Sequence, residues 1–89
     1  MTICKVIGHV WATKKEENLC GFKLMVVRES ETAGSLAPSF VAADVVGAGI
    51  GETVLVISGS TARRALGGDN IPVDAAIVGI VDSLEIARE

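Results

Sequence analysis

The sequence is poor in the residues that mark several functional classes. Its 89 residues include two cysteines, one histidine and three aromatic residues. Cys4 and Cys20 form no C-x-x-C motif, and His9 has no second ligand at metal-binding spacing, so neither a disulfide framework nor a zinc site is expected. We expect two buried free thiols in a reducing compartment, with no metal and no cofactor.

The sequence also lacks an excess of positive charge and a long apolar run. The formal net charge is −3, and the basic residues are dispersed or stand beside acids, as in residues 14–17. Nucleic acid and anionic membranes are therefore not expected partners. No stretch approaches about 18 consecutive apolar residues, and the first residues do not resemble a signal peptide. We expect a soluble, cytoplasmic protein.

Hydrophobic residues, by contrast, are abundant for so short a chain. They make up 49% of the sequence, and the mean hydropathy is +0.50. The length predicts a single domain over residues 1–89, and a domain of this size buries only about 60–65% of its unfolded surface. Some apolar surface should therefore be covered by another chain.

Short runs rich in Val, Ile and Ala, separated by turn residues, predict an all-β fold. We expect strands at residues 3–13, 22–29, 40–46, 53–58 and 75–81. Residues 34–38 should form a flexible connection, residues 71–74 should re-enter the sheet, and residues 84–88 should form a short final strand or tail. Such a pattern indicates a small barrel with closed or covered edges.

Two local details refine this picture. In the first run, the small apolar residues at the even positions are expected to point inward; they are Cys4, Val6, Gly8, Val10 and Ala12. Residues 59–66 are expected to form one or two helical turns, with Ser60 or Thr61 as N-cap and Gly67 and Gly68 at the end.

A glycine-rich loop joins the third and fourth predicted strands. Its residues are Gly47, Ala48, Gly49, Ile50 and Gly51. A dinucleotide-binding loop would have different spacing and would open a helix, whereas a strand follows here. The loop is therefore interpreted as a tight turn between strands.

Other candidate residues have equally simple interpretations. Ser60, Thr61, Arg63 and Arg64 resemble an anion site, but helix capping and surface or intersubunit ion pairs explain them better. His9 is expected at the surface or in an interface. The acids at strand ends and turns should bond local backbone N–H groups; they are Asp44, Glu52, Asp74 and Asp82. No catalytic motif emerges, and the residues alone indicate an oligomeric β-barrel.

Six segments taken in order narrow the function. They read GHVWATK, LCGFKL, VAADVVGAGIGE, VLV, GSTAR and PVDAAIVGIVD, at residues 8–14, 19–24, 41–52, 54–56, 59–63 and 72–82. Together they resemble the EutN/CcmL family of bacterial microcompartment vertex proteins across nearly the whole chain. Thr61 and Met25 are mild departures from the family pattern, and residues 29–39 match it poorly, as expected of a variable loop.

The resemblance implies a five-stranded, OB-like antiparallel barrel with one short helix, assembled as a homopentamer. It implies a non-enzymatic role in the shell of a cytoplasmic microcompartment, with hexameric shell proteins as partners. Six-fold units tile flat facets, and five-fold units close the vertices.

The resemblance also implies positions in the pentamer for individual residues. Gly47, Ala48, Gly49, Ile50 and Gly51 are expected near the five-fold axis, where side chains have little space. The expected subunit interface comprises Glu52, Ser60, Thr61, Arg63 and Asp82, with Arg63 forking onto Glu52 or Asp82 of a neighbour.

Two alternative functions stay open at this point. The first is an OB-fold module for single-stranded nucleic acid, which needs stacking aromatics on a basic groove. Three aromatics and a negative net charge disfavour it. The second is a small enzyme acting on an oxyanion near Ser60 and Arg63.

Overall fold

Five strands and one short helix form the structure, which is a computed structural model describing residues 1–30 and 37–87. In chain order the elements are β1 (Thr2–Val10), a 3-10 turn (Glu17–Leu19), β2 (Lys23–Glu29), β3 (Ser39–Asp44), β4 (Thr53–Ser58), α1 (Ser60–Leu66) and β5 (Ala75–Ile80).

The strands close into a barrel in the order β1-β2-β3-β5-β4. This confirms the predicted five-stranded all-β barrel with one helix. Four of the pairings are antiparallel, but β3 and β5 pair in parallel through Ala43 with Ala76 and Asp44 with Ile77. The barrel is thus not antiparallel throughout, because β4 reverses the chain and the connection through α1 returns β5 in the direction of β3.

The predicted strand positions are confirmed, with β4 matching at both ends and the others slightly shorter than expected. Residues 71–74 do not form a strand, which agrees with the missing N–H of Pro72. Residues 84–87 are also not a strand, since no strand of the same chain lies beside them. Residue 88 and most of the predicted connection at 34–38 lie outside the described residues.

A β-bulge interrupts the alternation of faces along β1. Cys4 and Val6 are buried, as predicted, but the register shifts between Val6 and Gly8. The extra residue breaks the regular alternation. His9 then lies opposite the buried Met25, and Gly8, His9 and Val10 are all only partly buried. The predicted inward face is therefore confirmed for Cys4 and Val6, and the bulge ends the regular pattern beyond them.

Apolar side chains pack on both sides of the barrel wall. The interior cluster comprises Cys4, Val6, Met25, Val27, Ala42, Ala48, Val54, Val56, Ala75 and Ile77. A second cluster lies outside the wall, beneath α1, and comprises Ala43, Ile57, Ala62, Leu66 and Ala76. The small and β-branched residues of the sequence thus fill a thin core.

The helix begins differently from the prediction. Its N-cap is Gly59, with a φ of 67°, and no side chain caps it; Ser60 is already its first residue. The N–H of Gly59 instead donates to the carbonyl of Asp74 at 2.9 Å. The predicted end is confirmed, because Gly67 is the C-cap and its N–H bonds the carbonyls of Arg63 and Arg64. Across residues 1–30 and 37–87, no helix has the length and apolarity that a membrane span requires.

The two cysteines have different environments. Cys4 is buried inside the barrel, whereas Cys20 is exposed just after the 3-10 turn. The prediction of two buried thiols is therefore wrong for Cys20. A short turn that lies on the solvent side of the wall leaves little for its side chain to pack against.

Candidate functional site

The glycine loop, residues 45–52, is bound at its start by a buried carboxylate. Asp44 ends β3 and is only 8% exposed. Its Oδ1 accepts a hydrogen bond from the N–H of Val46 at 3.0 Å, and its Oδ2 accepts one from Ala48 at 2.8 Å. Such charge-assisted bonds are stronger than neutral ones. Asp44 therefore fixes the first half of the loop.

Lys23 is a second support of the loop that the sequence did not reveal. It lies opposite Asp44 in the β2–β3 register, and its Nζ donates to the carbonyl of Ala48 at 3.0 Å. The same Nζ is 3.9 Å from Oδ2 of Asp44. A lysine at the start of a strand carries no distinctive signal, and only the register brings it to the loop.

Glu52 binds the loop at its other end. Its Oε1 accepts a hydrogen bond from the N–H of Gly49 at 2.6 Å, and its own N–H donates to the carbonyl of Gly49 at 3.2 Å. The predicted bonding of local backbone N–H groups is thus confirmed for Asp44 and Glu52, whereas the side chains of Asp74 and Asp82 make no such bond among the described residues. Both ends of the loop are held by carboxylates.

Two of the glycines are required by backbone conformation. Gly47 and Gly51 have φ values of 81° and 94°, a region that side chains disfavour, whereas Gly49 does not have a positive φ. A Cβ at Gly49 would lie 3.4 Å from Oε1 of Glu52, which is a flexible neighbour. Gly49 is therefore not required by the fold of a single chain, unlike Gly47 and Gly51.

The loop also contacts both the barrel wall and the barrel interior. The N–H of Gly51 donates to the carbonyl of Val6 at 2.9 Å, and the N–H of Val6 donates to the carbonyl of Glu52 at 3.0 Å. Ala48 is fully buried in the interior cluster, while Ile50 is 59% exposed. One face of the loop therefore packs into the barrel interior through Ala48, and the other presents the apolar side chain of Ile50 to solvent.

The five residues expected at the subunit interface fall into two groups. Asp82 follows Val81, whose N–H donates to the carbonyl of Thr53 at 2.8 Å, so Asp82 lies near Glu52 at the start of β4. The others, Ser60, Thr61 and Arg63, lie on α1, beyond the end of β4. The strand separates the groups by about 17 Å. Within the described residues, Lys23 and Asp44 form the only ion pair.

The surroundings of Arg63 do not favour an anion site. Its cleft is also lined by Asp69 and Asp74. Two carboxylates would repel an oxyanion there. Ser60 and Thr61 provide no side-chain cap to the helix. In the part of the chain that the structure describes, no three His, Cys, Asp or Glu side chains gather as a metal site.

The aromatic residues do not share one surface. Trp11 is 86% exposed and stacks on His9, with ring centroids 5.4 Å apart. Phe22 instead packs against the cluster beneath α1, and Phe40 lies on β3. A nucleic-acid-binding barrel uses neighbouring aromatics on a basic groove. This arrangement gives that alternative no support.

A closed five-stranded barrel with one short helix and a carboxylate-bound glycine loop is the class of protein that these residues define. Within that class the chain is a member of the EutN/CcmL family. The family model described as "Ethanolamine utilisation protein EutN/carboxysome" matches residues 1–82. The family resemblance predicted from the sequence is thereby confirmed.

Individual relatives match over nearly their full length. The chain is 46% identical over 88 residues to the carboxysome shell vertex protein CcmL of Synechocystis sp., covering 98% of this chain and 88% of that protein. It is 49% identical over 86 residues to the bacterial microcompartment shell vertex protein GrpN of Rhodospirillum rubrum, covering 96% and 97%.

Solved structures have the same fold. The structure of Gloeobacter violaceus CcmL is similar with a TM-score of 0.85 and 40% identity, covering 97% of this chain and 90% of that chain. The pentameric microcompartment shell protein GrpN from Rhodospirillum rubrum is similar with a TM-score of 0.83 and 44% identity, covering 98% and 100%.

Proposed function

We propose that this chain is a vertex protein of a bacterial microcompartment shell and works as a cyclic homopentamer. The observation that carries this proposal is the full-length similarity to GrpN, a shell protein whose solved structure is pentameric. The surface agrees with it, because exposed apolar side chains such as Val41, Val45 and Ile50 suit burial against further copies.

The role of such a ring is geometric. Hexameric shell proteins tile flat facets, and pentamers placed at the vertices close the polyhedron in the cytoplasm. The chain then contributes shape rather than catalysis to the compartment. Hexameric shell proteins are its partners, together with its own copies.

The loop and the charged residues have separate roles in this proposal. Gly47, Ala48, Gly49, Ile50 and Gly51 converge near the five-fold axis. Glu52 and Asp82 at the start of β4, and Ser60, Thr61 and Arg63 on α1, lie in the subunit interface. The separation of these groups supports a contact between copies, because each copy presents its acids at one end and Arg63 at the other.

Native mass spectrometry tests the ring and its charge pairing. The wild-type chain is expected as a pentamer at micromolar concentration, and Arg63→Glu should weaken it by at least tenfold in dissociation concentration. Asp82→Arg in the same chain should restore the ring if the two residues meet across the interface. A wild-type monomer or dimer would overturn the proposed function.

Electron microscopy of compartments tests the vertex role. Without this chain, the enclosed enzymes should stay active after lysis, whereas the shells should become elongated or open. Restoring the wild-type chain should restore closed polyhedra. Closed, normal shells in its absence, with no other vertex protein of the family present, would falsify the role.

A further inference from the structure

The second half of β1 has a neighbouring strand on one side only. β2 pairs with β1 as far as Val10, whereas β4 pairs with it only from Thr2 to Lys5. On the β4 side, the last backbone bonds of β1 are those of Val6 with Gly51 and Glu52. Among the described residues, no strand lies along residues 7–11 on that side. An open edge of this kind can accept another strand.

The backbone groups of His9 point toward this open side. Val6 lies opposite Val27 and His9 lies opposite Met25, and these two β2 residues are two apart on a strand of continuous pairing. Val6 and His9 are therefore equivalent in the ladder. Because both backbone groups of Val6 face away from β2, those of His9 do so as well. Among residues 1–30 and 37–87, no backbone group bonds the N–H or the carbonyl of His9 on this side, so the edge offers a donor and an acceptor.

The segment that follows β5, at the same end of the barrel, has no strand partner among the described residues. Beyond β5, the N–H of Val81 still donates to the carbonyl of Thr53. The described residues 82–87 make no backbone hydrogen bond of their own. Leu84 is 50% exposed and Ile86 is 77% exposed. These two apolar residues alternate with Ser83 and Glu85, which is the pattern of a strand with one buried face.

The edge is flanked by apolar side chains that this face would cover. Ile7, Trp11 and Ile50 are all exposed there, and the bond from Gly51 to Val6 places Ile50 beside β1. The lengths also agree, since five extended residues span about 13 Å in either segment. The edge and the segment are therefore complementary in length, hydrogen bonding and polarity.

We propose that residues 83–87 of one copy pair as a β-strand with residues 7–11 of the neighbouring copy. This inference rests on the proposed ring. A cyclic ring requires two different surfaces on every chain, because each contact is head to tail. The edge of β1 and the 83–87 segment are two such surfaces, and strand addition provides both affinity and register.

A matched pair of double variants tests the pairing. Leu84→Asp with Ile86→Asp places two charges on the face that should be buried. Ser83→Asp with Ala87→Asp adds the same charge on the opposite face. Native mass spectrometry on dilution should show at least a hundredfold higher dissociation concentration for the first variant and less than a threefold change for the second. Circular dichroism should report an intact barrel in both.

Amide hydrogen exchange provides the second measurement. In the wild-type ring, the N–H of His9 should exchange at least tenfold more slowly than in the Leu84→Asp, Ile86→Asp variant, while Val10, paired with β2, stays protected in both. A wild-type pentamer with an unprotected His9 would overturn the strand pairing between copies, and so would an unchanged dissociation concentration of the Leu84→Asp, Ile86→Asp variant. Neither result would contradict the pentamer itself. Protection of His9 in a monomer would show pairing within one chain and would also overturn it.

Discussion

The glycine loop and α1 are held to the barrel by different kinds of interaction. The glycine loop is held by hydrogen bonds to Asp44, Lys23 and Glu52. The helix α1 instead covers the outside of the wall through apolar packing of Ala62 and Leu66. Hydrogen bonds to a buried carboxylate depend on individual atoms, whereas apolar packing depends on volume. The stability of the glycine loop should therefore fall on isosteric polar substitutions, whereas the packing of α1 should depend on side-chain volume.

The largest effect is expected from Asp44→Ala. It removes the acceptor of two N–H groups, one of them buried, and leaves Lys23 without its partner carboxylate. We expect a loss of about 3 kcal/mol in the free energy of unfolding. Asp44→Asn keeps one acceptor oxygen and should lose about half as much. Urea denaturation measures both, and equal stability of Asn and wild type would contradict a hydrogen-bonded closure.

A smaller effect is expected from Leu66→Ala in the packing of α1. Leu66 is almost fully buried beneath α1, and its truncation should lower the free energy of unfolding by about 2–3 kcal/mol. Leu66→Met conserves volume and should cost less than about 1.5 kcal/mol. The same denaturation measurement checks both. If the Met variant were as unstable as the Ala variant, volume would not govern the packing of α1.

The sequence predicted the parts of the barrel that depend on local pattern. Alternation and turn residues located all five strands, and Gly67 marked the end of α1. Features that depend on pairing between distant strands could not be predicted from the sequence. The bulge after Val6 interrupts the alternation along β1, and the register alone brings Lys23 to Asp44.

The candidate site was likewise predicted only in part. The carboxylates Asp44 and Glu52 were expected to bond nearby N–H groups, since such contacts span only a few residues. The N-cap was assigned to Ser60 or Thr61 on residue preference, but Gly59 fills that position because its backbone also bonds Asp74. A contact across fifteen residues of chain outweighed the local preference.

The smallest expected effect on stability concerns the two thiols, of which Cys4 is buried and Cys20 is exposed. Burial and, next, the charge of Glu29 raise the pKa of the Cys4 thiol above its ordinary value. The folded chain therefore holds this proton more tightly than the unfolded chain. The stabilisation is fully present below the pKa of the thiol in the unfolded chain and is lost as pH rises through the raised pKa of the folded chain. Cys4→Ala should remove this alkaline dependence from a series of urea denaturations.

The same contrast predicts reactivity. The exposed Cys20 should react with a thiol reagent at the rate of a free cysteine at neutral pH, whereas the buried Cys4 should react only as fast as the barrel opens. Cys20→Ser should abolish the fast phase and change the free energy of unfolding by less than about 0.5 kcal/mol. Cys4→Ala should leave the fast phase intact. Two fast-reacting thiols in the wild-type chain would mean that the interior cluster around Cys4 is open to solvent, which would contradict a closed barrel.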